Sequence, residues 1–271
     1  PDGLVLTNHH VARQQLFKMS SAKQDYLRDG FFARTRADEI ACPDLELKVV
    51  WSMENVTDAV NAAIDPNAPV ERRDAQRKAA LAKLEAEASK RSGLKAETVD
   101  LYHGGEYWLY LHKTFKDVRL VCAPEQSIAN FGGDGDNFGY PRHDLDFAFF
   151  RVYENGQPYH PEHWLEWSTT GAKEGELVFV SGNPGRTSRL LTVAQLEASR
   201  DVDRPLRIRI QEMRVDTYHA WAAKGPEKAR QAGPALAGLE NNLKRERGFL
   251  EILSDPKFLA GKKAAEDALR A

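Results

Sequence analysis

The chain has 271 residues, of which 42% are hydrophobic, and a formal net charge of -2 at pH 7. This length allows one large domain or two ordinary ones with a buried core. The near-neutral charge argues against a nucleic-acid or anionic-membrane partner, because phosphate-binding surfaces normally carry an excess of Lys and Arg. No run of about 18 apolar residues occurs, so the sequence predicts no membrane span.

The chain opens on an apolar segment that ends at two adjacent histidines. Leu4, Val5 and Leu6 predict a short β-strand, and Thr7-Asn-His-His10 follows where that strand must end. Imidazole takes up and returns a proton near neutral pH, so a His held at a strand end is a natural general base. The alternative is a structural His pair that only packs or hydrogen-bonds.

The next segment contains a strand and a charged helix. The stretch from Val11 to about Arg28 is helical or irregular by its pattern. Residues 45–51 alternate between apolar and charged side chains, which predicts a half-buried strand. Pro69 opens and Gly93 closes a stretch rich in Ala, Glu, Lys and Arg, which predicts a helix with a solvated face.

Short strands follow, separated by turns. They are predicted at residues 107–112, 117–123, 146–153 and 176–181, with a tight turn at 182–185. Parallel βαβ units would need a helix between successive strands, so this pattern favours a closed antiparallel barrel.

Beyond about residue 190 the pattern becomes helical. Helices are predicted over residues 205–223 and 236–253. Proline lacks a backbone N–H, so breaks are expected at Gly225-Pro226, Gly233-Pro234 and Asp255-Pro256. We therefore predict two domains, residues 1–189 with a helical excursion near 69–92, and residues 190–271.

The cysteines and histidines do not form a metal-binding pattern. Cys42 and Cys122 are the only cysteines, and two buried free thiols are preferred to a disulfide because their spacing does not show that they meet. No C-x-x-C pattern is present, and on a strand His9 and His10 would point to opposite faces. We expect no metal site and no cofactor.

Two long motifs carry a resemblance to a known family. The first is Gly3-Leu-Val-Leu-Thr-Asn-His-His10, and the second is Phe131-Gly-Gly-Asp-Gly-Asp-Asn-Phe-Gly-Tyr-Pro-Arg-His143, which runs into an apolar strand. The order His then Asp is that of chymotrypsin-fold peptidases. The chain resembles the bacterial dipeptidyl-peptidases of types 7 and 11, which are serine exopeptidases. The resemblance implies a chymotrypsin-like double β-barrel with an inserted α-helical domain, and part of both in this chain.

The resemblance also assigns a catalytic base and its orienting acid. The base in such barrels directly precedes a small apolar or Cys residue, which favours His10 over His9 because Val11 follows it. Asp146 stands directly before the apolar strand and is the expected orienting acid, with Asp144 as the alternative.

The nucleophile of the triad is not evident in this sequence. Ser168 and Ser181 do not sit in a Gly-x-Ser-Gly turn, which in such peptidases also builds the oxyanion hole. In the family the nucleophile follows the helical domain. The resemblance therefore implies an N-terminal fragment that lacks this serine and is inactive by itself.

Three residues are expected to bind the substrate. The resemblance implies that Asn137 binds the free α-amino group, with Phe138 in the place of an aromatic neighbour and Asn241 as a second, assisting Asn. An amide oxygen near Asp side chains suits an ammonium group. The alternatives are a plain turn or a calcium-like loop for the first two, although no bidentate Glu follows, and a solvated helix Asn for the third.

The resemblance therefore implies that the whole protein releases dipeptides from the free N-terminus of peptides. The alternatives are an endopeptidase of the same fold and a noncatalytic peptide-binding relative that keeps His10 and Asp146. The family implies a periplasmic or cell-surface location, and its tendency to dimerise leaves a homodimer open. It includes members that prefer hydrophobic residues and members that prefer Asp or Glu, and the sequence does not choose between them.

Overall fold

The structure is a computed structural model that describes residues 2–129, 135–141, 143–180 and 190–271. Its strands are Leu4–Thr7 (β1), Phe31–Phe32 (β2), Ile40–Ala41 (β3), Leu47–Asn55 (β4), Lys95–Leu101 (β5), Glu106–Phe115 (β6), Asp117–Ala123 (β7), Ala148–Glu154 (β8) and Gln157–Pro158 (β9). Its helices are His9–Met19 (α1), Tyr26–Asp29 (α2), Thr57–Ala62 (α3), Val70–Ser92 (α4), Gln126–Ala129 (α5), Val193–Ala198 (α6), Arg204–Ala222 (α7), Pro226–Leu253 (α8) and Pro256–Arg270 (α9). A short 3-10 turn covers Arg36–Asp38 and a π-helical turn covers Ser199–Asp203.

The strands form two sheets. One has six strands in the order β1-β8-β7-β2, with β3 also paired to β7 and β9 to β8, and the other has three in the order β4-β6-β5. The predicted β-rich fold with helices is confirmed. Neither sheet closes on itself within the described ranges, so the structure does not confirm the double barrel.

The chain divides into two compact units. The first comprises Pro1–Leu6, Ala33–Val121 and Phe149–Pro161, and the second comprises Thr7–Phe32, Cys122–Ala148 and Glu162–Ala271. The domain boundary expected near residue 190 stays a prediction. Among the helices of the described chain, none is long and apolar enough to cross a membrane.

Helix α4 covers a small core in the first unit. Ala88 of α4 is buried with Val60, Tyr107 and Leu109, and Leu81 packs against the same cluster. The helix ends where Gly93 adopts a left-handed conformation at φ 70°, which only glycine takes without cost. The predicted helix and its stop signal are thus confirmed.

Strand β4 differs from its prediction. It lies at the edge of its sheet, and Val49 and Trp51 are 48% and 55% exposed, whereas a half-buried strand was expected. The pairing with β6 also shifts register between Val50 and Ser52, as a β-bulge does. Alternation predicts which side chains share a face, but burial requires a second layer, and the described residues leave this edge strand uncovered.

A buried ion pair stabilises the first unit. Glu39 has a side chain only 2% exposed, and its carboxylate accepts hydrogen bonds from Arg151 Nε at 2.8 Å and the Tyr153 hydroxyl at 2.7 Å. Arg151 also donates to the Asp2 carbonyl at 2.6 Å. Burial, together with the bond to Glu39, raises the pKa of Tyr153.

Glu39→Ala in the whole protein should lower the free energy of unfolding by about 3–5 kcal/mol, because it strands a buried guanidinium without its counter-charge. Urea denaturation of both proteins measures the difference. The control is Glu46→Ala, which removes an exposed pair with Lys116 at 3.8 Å and should cost less than about 1 kcal/mol. Equal effects of the two substitutions would contradict the structural role assigned to Glu39.

Helices α7 and α8 pack against each other in the second unit. Ion pairs join them, at 2.7 Å between Arg247 and Glu212 and at 2.9 Å between His219 and Glu240. The break expected at Gly233-Pro234 is wrong, because α8 continues through Pro234. The φ of proline suits a helix, and packing along α7 outweighs the backbone hydrogen bond that proline cannot make.

Two further expectations concern residues 168–187. The strand predicted over 176–181 is wrong for residues 176–180, which form no strand. No described segment pairs with them, and Leu177 and Phe179 are 82% and 87% exposed. Ser181 and the turn at 182–185 lie outside the described residues. Ser168 accepts a hydrogen bond from the Gly171 N–H at 3.1 Å and so closes a turn.

Both cysteines are free thiols, as the sequence led us to expect. Burial raises the pKa of the Cys42 thiol to about 12 and also raises that of Cys122, so neither is activated as a nucleophile.

Candidate active site

The two histidines lie in the first turn of a helix. Helix α1 begins at His9, directly after Asn8, whose extended backbone ends strand β1. The strand thus ends where the sequence predicted, but the two histidines start a helix, which the sequence did not predict. Neighbours in a helix differ by roughly 100° in direction, which separates a completely buried His9 from a His10 whose side chain is 42% exposed.

His10 is paired with Asp146, which lies 136 residues later in the sequence. The ring Nδ1 of His10 lies 2.6 Å from Asp146 Oδ2, and the backbone N–H of His10 donates to Oδ1 at 2.9 Å. Each carboxylate oxygen thus has a bond to the same residue. The contact fixes the ring orientation and leaves Nε2 directed away from the carboxylate.

Asn8 contacts the same carboxylate, although its sequence position did not predict a role in the site. Its side-chain NH₂ donates to Asp146 Oδ2 at 3.2 Å and to the Asp146 carbonyl at 3.0 Å. No local pattern indicates this contact, because an Asn in front of a helix is normally interpreted as an N-cap. Here the Asn8 side chain makes no capping bond.

His9 lies beside this pair but has a different environment. Desolvation is the main cause that lowers the pKa of His9, and the nearby Arg13 guanidinium lowers it further, while Asp146 and the Pro124 backbone act in the opposite direction. Within the described residues neither ring nitrogen reaches a partner at good hydrogen-bond geometry. His9 is therefore held neutral and buried, which does not suit a base that must reach substrate.

The residues expected to bind substrate come together on a short loop and helix α8. Asn137 is buried, and its NH₂ donates to Asn241 Oδ1 at 3.0 Å. Three residues further along α8, Lys244 donates to the Gly135 carbonyl at 2.9 Å. Lys244 was missed, although its spacing from Asn241 places both on one helix face. The two bonds attach the loop to α8.

Phe138 completes this group. Its φ is 64°, a conformation uncommon for residues other than glycine, and its side chain is 62% exposed. The Gly139 N–H donates to the Asp136 carbonyl at 2.7 Å, which closes a turn around Asn137 and Phe138. This turn presents an aromatic ring next to a buried amide.

The sequence of the chain matches a known protein family, because the family model described as Peptidase S46 covers residues 1–271. The chain belongs to peptidase family S46. It is 34% identical to dipeptidyl-peptidase 7 of Phocaeicola vulgatus, over 98% of the S46 chain and 39% of that relative. It is 32% identical to the Asp/Glu-specific dipeptidyl-peptidase of Porphyromonas endodontalis, over 91% of the chain and 36% of that relative.

Solved structures agree with this membership. The S46 chain is similar to Porphyromonas endodontalis DPP11 in complex with the dipeptide Arg-Asp, with a TM-score of 0.83 and 30% identity over 98% of the chain and 41% of that structure. It is also similar to the complex of DPP11 with Arg-Glu, at a TM-score of 0.81 and 29% identity. The predicted family is confirmed. The chain spans less than half the length of the relatives it matches.

Proposed function

We propose that the whole protein is a serine-type dipeptidyl-peptidase that releases dipeptides from the free N-terminus of peptides. The observation that carries the proposal is the contact of 2.6 Å between His10 Nδ1 and Asp146 Oδ2 in a chain of the S46 family. Relatives named as dipeptidyl-peptidases support it.

In this proposal His10 is the general base. Its Nε2 takes the proton from a serine hydroxyl supplied by another part of the protein, and the serine oxygen attacks the scissile carbonyl. His10 then returns the proton to the leaving amine, and water repeats the cycle on the acyl-enzyme. Asp146 keeps the neutral ring protonated on Nδ1 and stabilises the imidazolium that forms.

Asn137, Phe138 and Asn241 are proposed to bind the substrate ammonium. The bond from the Asn137 NH₂ to Asn241 orients the Asn137 amide, so that its Oδ1 is a positioned acceptor for an N–H of the ammonium. The exposed Phe138 ring offers a face for the same cation. Because these residues would hold the ammonium at a fixed distance from the scissile bond, cleavage would follow the second residue of the substrate.

Three wider features belong to the same proposal. The chymotrypsin-like double barrel, with its helical domain inserted, would complete the sheets described above. A periplasmic or cell-surface location and a homodimer are what the family leads us to expect of the whole protein.

Asn137→Ala should weaken kcat/KM for peptides with a free N-terminus by roughly 1.5–3 kcal/mol, the value of a hydrogen bond to a charged group. Because the contact positions the scissile bond, part of the loss should appear in kcat. N-acetylated versions of the same peptides should be poor substrates of the wild type and be affected little by the substitution. The measurement is a double cycle of kcat/KM over both proteins and both peptides.

The matched control is Asn61→Ala, which removes an exposed Asn from helix α3 and should leave all four values unchanged. A coupling near zero would leave Asn137 as a turn residue only. If the acetylated peptide is cut as fast as the free one, the protein is an endopeptidase and the proposed function is wrong.

A further inference from the structure

The Asp146 carboxylate is bound at both oxygens by residues at the start of α1. Oδ1 accepts from the backbone N–H of His10 at 2.9 Å, and Oδ2 lies 2.6 Å from the His10 ring and 3.2 Å from the Asn8 NH₂. The Asp146 side chain is only 15% exposed, so these bonds replace much of its hydration. Oδ2, the oxygen that meets the imidazole, therefore has two neighbours that both belong to the motif Thr7-Asn-His-His10.

The N-terminus of helix α1 is capped by Asp146 and not by the residue at its N-cap position, Asn8. An Asn in the N-cap position usually accepts from a backbone N–H in the first turn, but the Asn8 side chain makes no such bond. Asp146, from far along the chain, caps the His10 N–H instead, and the positive end of α1 favours its negative charge. Asn8 donates its NH₂ to the Asp146 carbonyl and carboxylate at the same time, which restrains the side chain relative to its own backbone.

We propose that Asn8 is a positioning residue, whose amide holds the Asp146 carboxylate in the plane and direction that orient the His10 ring. The inference rests on the proposed function. With only its two bonds to His10, the carboxylate could tilt together with the ring. The Asn8 NH₂ prevents this because it binds both the carboxylate and the Asp146 carbonyl, which belongs to the backbone next to β8. The amide does not titrate, so this restraint is present at every pH at which the protein is folded.

The Asn8 donor also balances charge on Oδ2. A hydrogen bond from a neutral amide takes up part of the carboxylate charge, leaving less of it to favour the imidazolium. Without that donor, more of the carboxylate charge acts on the His10 ring and favours the imidazolium over the neutral ring. Among the residues that the structure describes, Arg13 and His9 on α1 also interact electrostatically with Asp146, and a substitution of Asn8 leaves both in place.

The test uses Asn8→Leu, which keeps the size of the side chain and removes its donor, in the whole protein. We expect kcat to fall roughly 10- to 100-fold, the range for loss of a hydrogen bond to a charged group, with KM nearly unchanged. The acid limb of kcat/KM against pH should move to higher pH. Asn8→Gln, which retains an amide donor, should recover part of both changes.

A structural role alone would lower the thermal midpoint and the titrated number of active sites, while the remaining enzyme would keep the pH profile of the wild type. That result, or a kcat within twofold of wild type for folded Asn8→Leu, would overturn the inference. If Asn8→Leu does not fold, Asn8→Ala is tested instead by its kcat and by the pH profile of its kcat/KM. Asn61→Leu on α3 is the matched control and should change neither kcat nor the pH profile. The proposed function fails separately, if wild type shows no turnover or His10→Ala retains it.

Discussion

His10→Ala in the whole protein is expected to lower kcat/KM for dipeptide-releasing substrates by about a thousandfold or more. The reason is that no other described side chain combines a bond to Asp146 with an exposed ring, which is what proton transfer to and from substrate requires. Steady-state kinetics on a peptide with a free N-terminus measures the loss, with the concentration of folded enzyme fixed by circular dichroism.

His9→Ala is the matched control for this substitution. His9 is completely buried and its pKa is lowered, so we expect its removal to affect stability through the cavity that it leaves, and activity per folded molecule far less. If His9→Ala abolishes turnover and His10→Ala does not, the assignment of the base is wrong.

Asp146→Asn should lower kcat by about four decades while substrate binding is retained, the loss seen when the orienting acid of a triad becomes an amide. The contacts predict how the new amide lies. The amide oxygen must face the backbone N–H of His10, because the amide NH₂ cannot accept a hydrogen bond. The NH₂ therefore faces the His10 ring and the Asn8 NH₂. The ring then accepts at Nδ1 and carries its proton on Nε2, where it cannot act as a base.

Asp144→Asn tests whether the loss is specific to one carboxylate. Asp144 stands two residues earlier and is the alternative that the sequence left open. It should keep activity within a few-fold of wild type, because the bonds to the His10 ring and backbone come from Asp146. If kcat falls by four decades in Asp144→Asn while Asp146→Asn stays active, Asp144 and not Asp146 is the orienting acid. Both proteins should be compared by kcat and KM on one free-N-terminal peptide.

The sequence predicted the elements whose cause is local. Strands β1 and β7 and helix α4 were found where alternation, proline and glycine placed them, since backbone propensity and turn chemistry act within a few residues. The same local rules placed both histidines at the strand end and did not show that they start helix α1, because nothing nearby distinguishes a His at a strand end from one in a first helical turn. They also predicted a break at Pro234 that packing on α7 overrides.

Residue types and motifs predicted His10, Asp146, Asn137 and Asn241, and the tertiary structure decided which of them meet and which other residues join them. The sequence contains four carboxylates around residues 134–146, and only the fold shows that Asp146 reaches His10 and that Asn8 joins them. Likewise it could name Asn137 and Asn241 separately, while their bond across 104 positions depends on α8 packing beside the loop. Contacts between distant residues depend on the whole chain, because closing a long loop is repaid only by the summed packing of the elements it joins.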